Sequence, residues 1–225
     1  MKIPLLQARV RSSSGNVMRI YNCTLPIFAA LTLIVFSAQF SVAAQTDAGA
    51  FVKNLGDHAI KVLTGTGISA AEREDRFRSI LRQGFDVKRI GRFVLGRYAR
   101  GVKPEAIDEY NGLFEDLIVA TYAARFAEYS GQQFVIKRIA KPKSRGDSIV
   151  MSEIRPSSGG PSIRVDWQVH GQETAYKIVD VRVEGVSMSV TQREEFTAVI
   201  RKNGGKVDAL LAVLRKKTEG LKSKQ

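Results

Sequence analysis

The chain has 225 residues with 35 Lys and Arg against 22 Asp and Glu, a net charge of +13, and no internal repeat, so a single globular domain with a real core is expected. One cysteine and two histidines exclude a disulfide framework and leave almost nothing for a metal centre. The basic excess favours anionic partners such as phospholipid head groups, an acidic protein face or nucleic acid, acting over about 8–10 Å at physiological salt.

Lys2, Arg9, Arg11 and Arg19 precede an apolar run from Leu25 to Phe40, and Val42-Ala43-Ala44 follow. This charged, apolar, small-residue order is that of a secretory signal spanning 1–44 with cleavage after Ala44, and Met18 offers a second start within the same segment. An uncleaved anchor is the competing reading, but Pro26 and Ser37 break the run and it is short for a membrane span. Cys23 lies inside the signal, so the exported chain carries no thiol. Removing four of the 35 cations leaves 31 against 22 acids, +9, and export to the periplasm disfavours nucleic acid as the partner.

The first helix is predicted over Ala48 to Leu63, ending at Gly65-Thr66-Gly67. Ser69 with Glu72 forms a capping box for a second helix, which carries Phe77, Ile80 and Leu81 and closes at Gly84. Asp86 caps a short third helix with Ile90, Phe93 and Val94 apolar and Gly96 at its left-handed end. The longest helix is predicted from Pro104 to Tyr129, with Ile107, Tyr110, Phe114, Leu117, Ile118, Tyr122 and Phe126 on one stripe and Glu105, Asp108, Glu109, Glu115 and Asp116 towards water.

The apolar period then changes from helical to alternating. Strands are predicted over 134–139, 148–154, 162–169 and 175–183, joined by short turn-rich segments at 143–147, 156–161 and 171–173. On the third, Ile163, Val165, Trp167 and Val169 share one face, with Arg164, Asp166, Gln168 and His170 on the other. Val186, Met188 and Val190 extend the sheet before a capping box at Thr191 and Glu194 opens a helix with Phe196, Val199 and Ile200. After Gly204-Gly205 a last helix carries Val207, Leu210, Leu211 and Leu214, with Arg215-Lys216-Lys217 at its end. Residues 45–217 thus form one domain and 218–225 a basic flexible tail. The order describes an α+β fold, an antiparallel β-meander sheet packed against several helices.

Little of this can do chemistry. His58 and His170 are far apart, and no metal set, phosphate loop or nucleophile elbow accompanies them. Asp180 interrupts an apolar strand, and a carboxylate in an apolar pocket can act as a general base. Strand alternation instead puts it outward, near Tyr176, Arg182 and Glu184. Ser187 and Ser189 read as turn or capping hydroxyls. A small α+β enzyme using Asp180 or His170 on a hydrophobic substrate is therefore the alternative to a binding protein.

Three blocks carry a resemblance: Phe85 to Tyr98 (FDVKRIGRFVLGRY), Phe114 to Phe126 with Tyr129-Ser130-Gly131, and Lys177 to Ser187 (KIVDVRVEGVS) with Arg193 to Phe196. Together they resemble the MlaC family of periplasmic phospholipid-binding, or toluene-tolerance, proteins, in order from about Ala48 to Leu214. The chain departs at Ala175-Tyr176, where many relatives have an aromatic-rich start to the strand. The resemblance implies no enzyme and no cofactor, but a periplasmic phospholipid carrier that holds acyl chains in an apolar cavity and helps to maintain outer-membrane lipid asymmetry. It implies an inner-membrane ABC transporter complex with a lipid-binding ring and an outer-membrane lipoprotein complex as partners, and a monomeric carrier. The expected cavity residues are Phe85, Ile90, Phe93, Val94, Leu117, Ile118, Tyr122, Val165, Trp167, Val181 and Val183. Arg89, Arg92, Arg97 and Arg100 are expected to face head groups or membrane.

Overall fold

The computed structural model describes residues 47–129, 131–140, 146–171 and 175–222. The expected signal at 1–44 with Cys23, Ser130, residues 143–145 of the first strand turn, Gln172 and Glu173, and residues 223–225 lie outside them. The elements are α1 (Ala48–Leu63), α2 (Ala70–Gly84), α3 (Val87–Leu95), a 3-10 turn (Gly96–Ala99), α4 (Pro104–Tyr122), a second 3-10 turn (Ala123–Glu128), strands β1 (Gln133–Ala140), β2 (Ser148–Arg155), β3 (Ile163–His170), β4 (Lys177–Val183) and β5 (Val186–Ser187), then α5 (Met188–Lys202) and α6 (Val207–Lys222). Helices and an antiparallel sheet ordered β1-β2-β3-β4-β5 make the expected α+β fold. No helix among the described residues is long and apolar enough to cross a membrane.

Local hydrogen bonding starts the first three helices. The Asp47 carboxylate accepts the Ala50 N–H at 2.8 Å, Ser69 Oγ accepts Glu72 N–H at 3.2 Å, and Asp86 accepts Arg89 N–H at 3.0 Å. Gly96 ends α3 with φ at +58°, a backbone region where a Cβ is penalised. α3 and α4 approach closely at Gly91, where an added Cβ would lie 3.3 Å from Phe114 and 3.4 Å from Tyr110. There the buried Tyr110 hydroxyl donates to Gly91 O at 3.0 Å, and burial pushes the phenol's pKa well up.

Several expectations need correction. The long helix leaves α geometry at Tyr122 and tightens to a 3-10 turn through Glu128, instead of running on to Tyr129. On its expected water face, Glu115 and Asp116 instead meet α2: Arg78 pairs with both at 2.8 Å, and Arg82 pairs with Glu115 at 2.8 Å. The final helix runs to Lys222, with Thr218 buried and Leu221 packed on the helical core, so residues 218–222 are not a loose tail.

A further correction concerns Asp180. It pairs across from Gln168 on the outer side of the sheet, yet is only 8 % exposed. Its Oδ1 accepts the Ser189 N–H at 3.1 Å and its Oδ2 accepts the Ser187 hydroxyl at 2.7 Å. Ser187 Oγ in turn accepts the Val190 N–H at 3.1 Å and is the N-cap of α5. The helix therefore opens at Met188, so Met188 and Val190 are helical rather than strand residues, and Thr191 is no cap: its hydroxyl donates back to Ser187 O at 2.9 Å. An anion at a helix N-terminus satisfies otherwise orphaned N–H groups and suits the helix dipole. Tyr176 does not join Asp180; it packs on the sheet core, its ring 5.8 Å from that of Phe51.

Asp180→Ala is expected to cost about 2–3 kcal/mol in urea unfolding, by leaving the Ser189 N–H unmet in a buried site, and Ser187→Ala about 1 kcal/mol. Partial burial pushes the Glu115 carboxyl up, but hydrogen bonds and charge from Arg82 and Arg78 outweigh it and hold the pKa below its usual 4.5. A depressed folded-state pKa stabilises above the unfolded value and loses that effect as pH falls through the folded one. Glu115→Gln should therefore be less stable than the parent at pH 7, and the gap should close as unfolding is measured progressively below about pH 4.5.

Candidate functional site

The inner face of the sheet follows from its register. Val165, Trp167 and Val169 on β3 lie opposite Ser152, Val150 and Ser148 on β2, and opposite Val183, Val181 and Ile178 on β4. Ile136 and Ile139 on β1 continue the rows, with a bulge at Lys137 keeping both inward. Among the described residues, close helix contacts come from α1 over β1 and β2 and from α2, α3 and α5 along β4, whereas β3 has no comparable helix partner.

The buried apolar residues do not form one core. A helical cluster joins Val94 and Leu95 of α3 to Tyr110, Phe114 and Leu117 of α4, Phe196 and Ile200 of α5, and Leu210, Leu211 and Leu214 of α6. A separate sheet cluster joins Ala48 and Val52 of α1 to Val150, Val169 and Ile178. The two share no residue and are linked through a small cluster of Leu81, Val119 and Ala123, and a fourth cluster, Ala59, Leu63 and Ile80, joins α1 to α2. Phe85 packs on that link from the sheet side, and Ile118 from the helical side. A domain of this size usually has one contiguous core. Here the buried apolar residues fall into four clusters, and an apolar seam lies between the helical and the sheet ones.

The sequence-predicted cavity residues divide along this seam. Phe85, Trp167 and Val181 pack on the sheet cluster, and Val165, 4 % exposed, and the half-buried Val183 stand in the next rows, outside all four buried clusters. Val94 and Leu117 are inside the helical cluster and Ile90 and Ile118 lie against it. Phe93 and Tyr122 are at the surface, 42 % and 39 % exposed.

Two seam residues were not anticipated. Phe134 meets the Trp167 ring edge to face at 6.0 Å. Ser152, fully buried, accepts the Trp167 indole N–H at 2.9 Å and donates to Val165 O at 2.7 Å. The alternation of β2 does place position 152 inward, which was the available signal.

The α2–α3 junction fastens the helices to β4. Phe85 forms a parallel bridge with Ile178, the Asp86 N–H donates to Ile178 O at 3.0 Å, and Lys177 Nζ donates to Arg82 O at 3.0 Å and Gln83 O at 2.5 Å. Nearby, Asp147 accepts from Gln168 at 2.6 Å and meets His170 Nδ1 at 2.6 Å, with Arg89 3.8 Å away. Burial alone would raise the Asp147 pKa, but these partners hold it below its usual value. His58 is exposed on α1. No group of three or more His, Cys, Asp or Glu among the described residues is placed to hold a metal ion. Two surface clefts, of about 410 Å³ between α4 and α6 and about 580 Å³ beside α2 and Lys177, are lined mainly by charged and polar residues and lie away from the seam's apolar rows.

The profile of the MlaC family, described as MlaC protein, matches residues 53–216. Among solved structures, the phospholipid-binding protein from Ralstonia solanacearum, in complex with a phospholipid, superposes with a TM-score of 0.70 at 24 % identity, covering 78 % of this chain and 98 % of that one. The likeness shows a common fold.

Ser152→Ala should leave the Trp167 indole N–H unmet and cost about 1–2 kcal/mol of stability, and the emission of this lone tryptophan should shift, which fluorescence-detected unfolding reads directly.

Proposed function

The chain belongs to the MlaC family, and on that premise we propose that it is a periplasmic carrier whose seam between helical and sheet cores takes up phospholipid acyl chains. The observation that carries this reading is the divided core: two apolar layers that meet through Phe85 and Ile118, with half-buried Trp167, Val181 and Val183 along the way. The Ralstonia protein of the same fold, solved with a phospholipid bound, supports it. In this proposal Phe85 and Ile118 turn aside to admit a chain, and Val165, Trp167, Val181 and Val183 form its floor. Ile90, Val94 and Leu117 support the opposite wall.

The energetics suit a carrier. Each buried methylene contributes about 0.8 kcal/mol, so a chain of about fifteen favours protein over water by roughly 12 kcal/mol. A bilayer offers a comparable apolar medium, so exchange with a membrane is close to balanced and direction comes from partners. We assign that role to an inner-membrane ABC transporter complex with a lipid-binding ring and to an outer-membrane lipoprotein complex, with outer-membrane lipid asymmetry as the outcome, and we take the carrier to be monomeric. The role is binding and transport rather than catalysis. Asp180 is committed to α5 and His170 to Asp147, which leaves the general-base alternative without support.

The single tryptophan supplies the test. Phospholipid with brominated acyl chains, bound to the purified protein, should quench Trp167 emission strongly, and native mass spectrometry should find the same lipid at unit stoichiometry. Val181→Glu should abolish both signals while the circular dichroism spectrum stays unchanged. Lipid bound without quenching would place the chains elsewhere, and absence of bound lipid would refute the carrier reading.

A further inference from the structure

α3 turns Ile90, Val94 and Leu95 towards the helical core and presents Lys88, Arg89, Arg92 and Phe93 outward, all four exposed. From Val87 through Ala99, the helix and its 3-10 turn carry four cations and no acid. The outward aromatic is not covered by the fold. Phe93 is 42 % exposed, and the Arg193 guanidinium of α5 lies over it, 5.1 Å from the ring centroid. One turn before Arg193 on the same helix stands Val190, also 42 % exposed. Arg193 is close to Gly96 as well: an ideal Cβ there would lie 3.1 Å from its guanidinium nitrogens. Two elements thus converge to place an uncovered aromatic and an uncovered valine among cations.

This combination separates the corner from an ordinary solvated face. A solvated basic face needs no apolar residue, and leaving Phe93 and Val190 in water gives up burial that repacking towards the core would gain. A basic amphipathic segment with an outward aromatic matches the chemistry of an anionic lipid surface, where cations meet phosphates and the ring enters the head-group layer. Of the acids nearby, Asp86 caps α3, Asp147 holds His170 and Gln168 with Arg89 3.8 Å away, and Glu195 accepts from Gln192, while Glu194 follows Arg193 on α5 and is exposed. The charge of +9 on the exported chain adds long-range attraction.

We propose that the α3–α5 corner, centred on Phe93 and Arg193 with Lys88, Arg89 and Arg92, docks the protein directly on anionic phospholipid surfaces. This contact goes beyond acyl-chain binding and does not require an occupied seam. The test is flotation of the purified protein with vesicles of phosphatidylglycerol and phosphatidylethanolamine, set against vesicles of phosphatidylcholine alone. Each cation at an anionic surface contributes about fivefold in affinity, so Arg92→Gln with Arg193→Gln should weaken binding at least about tenfold. Phe93→Ser should weaken it further at high salt, where the apolar contribution dominates. Lys216→Gln with Lys217→Gln, which removes the same charge from α6, should change binding less than about twofold. Equal losses in the two double variants, equal binding to neutral vesicles, or no binding by the parent protein overturns the proposal and leaves the corner to a protein partner. Bound-lipid content, read separately by mass spectrometry, distinguishes failure of this contact from failure of the carrier reading.

Discussion

Strand β4 is the constraint from which the rest of the architecture hangs. Within four residues it fastens three helices to the sheet: Lys177 closes the carbonyl end of α2, Ile178 bonds the chain as it enters α3, and Asp180 anchors the first turn of α5. These are polar attachments at a strand backbone, and they hold the helical layer by its ends. Side chains join the layers as well: Ala48 and Val52 of α1 lie in the sheet cluster, and Phe85 and Ile118 meet at the link to the helical one. The helices are thus held to the sheet by polar bonds at β4 and by the packing of α1 on β1 and β2.

How much of this was legible in the sequence follows the range of the interactions. Ser69 and Asp86 reach an N–H three residues ahead, so the letters alone reveal them, and the alternation of β3 put Val165, Trp167 and Val169 on one face because a strand has a fixed period. The α5 start was misread because its anchor comes from Asp180, seven residues before Ser187 and across a turn. A capping box at Thr191 and Glu194 satisfies the local pattern equally well, and only the tertiary carboxylate decides between them. The tail was misread for a related reason: a basic stretch of sequence looks soluble, but Thr218 and Leu221 fall on the inward side of α6.

The candidate site shows the same limit. Periodicity identifies an inward stripe on α4 but cannot tell which neighbour each residue meets. Leu117 turns into the bundle of α3, α5 and α6, whereas Ile118, the next residue, packs both on that bundle and on the link to the sheet. A charged residue at Leu117 would act on folding before it acted on any cargo, while Val181, half-buried on the sheet side, separates the two effects.

The bulge in β1 has a consequence beyond keeping Ile136 and Ile139 inward. Among the described residues β1 is an edge strand of the sheet, and the bulge places Lys137 and Arg138 in succession at the point where the ladder is irregular. Both side chains are exposed. An irregular, cationic edge is a poor template for an incoming strand, because the hydrogen-bond spacing fails to match and like charges meet. At the opposite edge β5 is only two residues long. Among the described residues neither margin therefore offers a regular ladder for a neighbouring chain to extend, which guards the sheet against polymerising edge to edge.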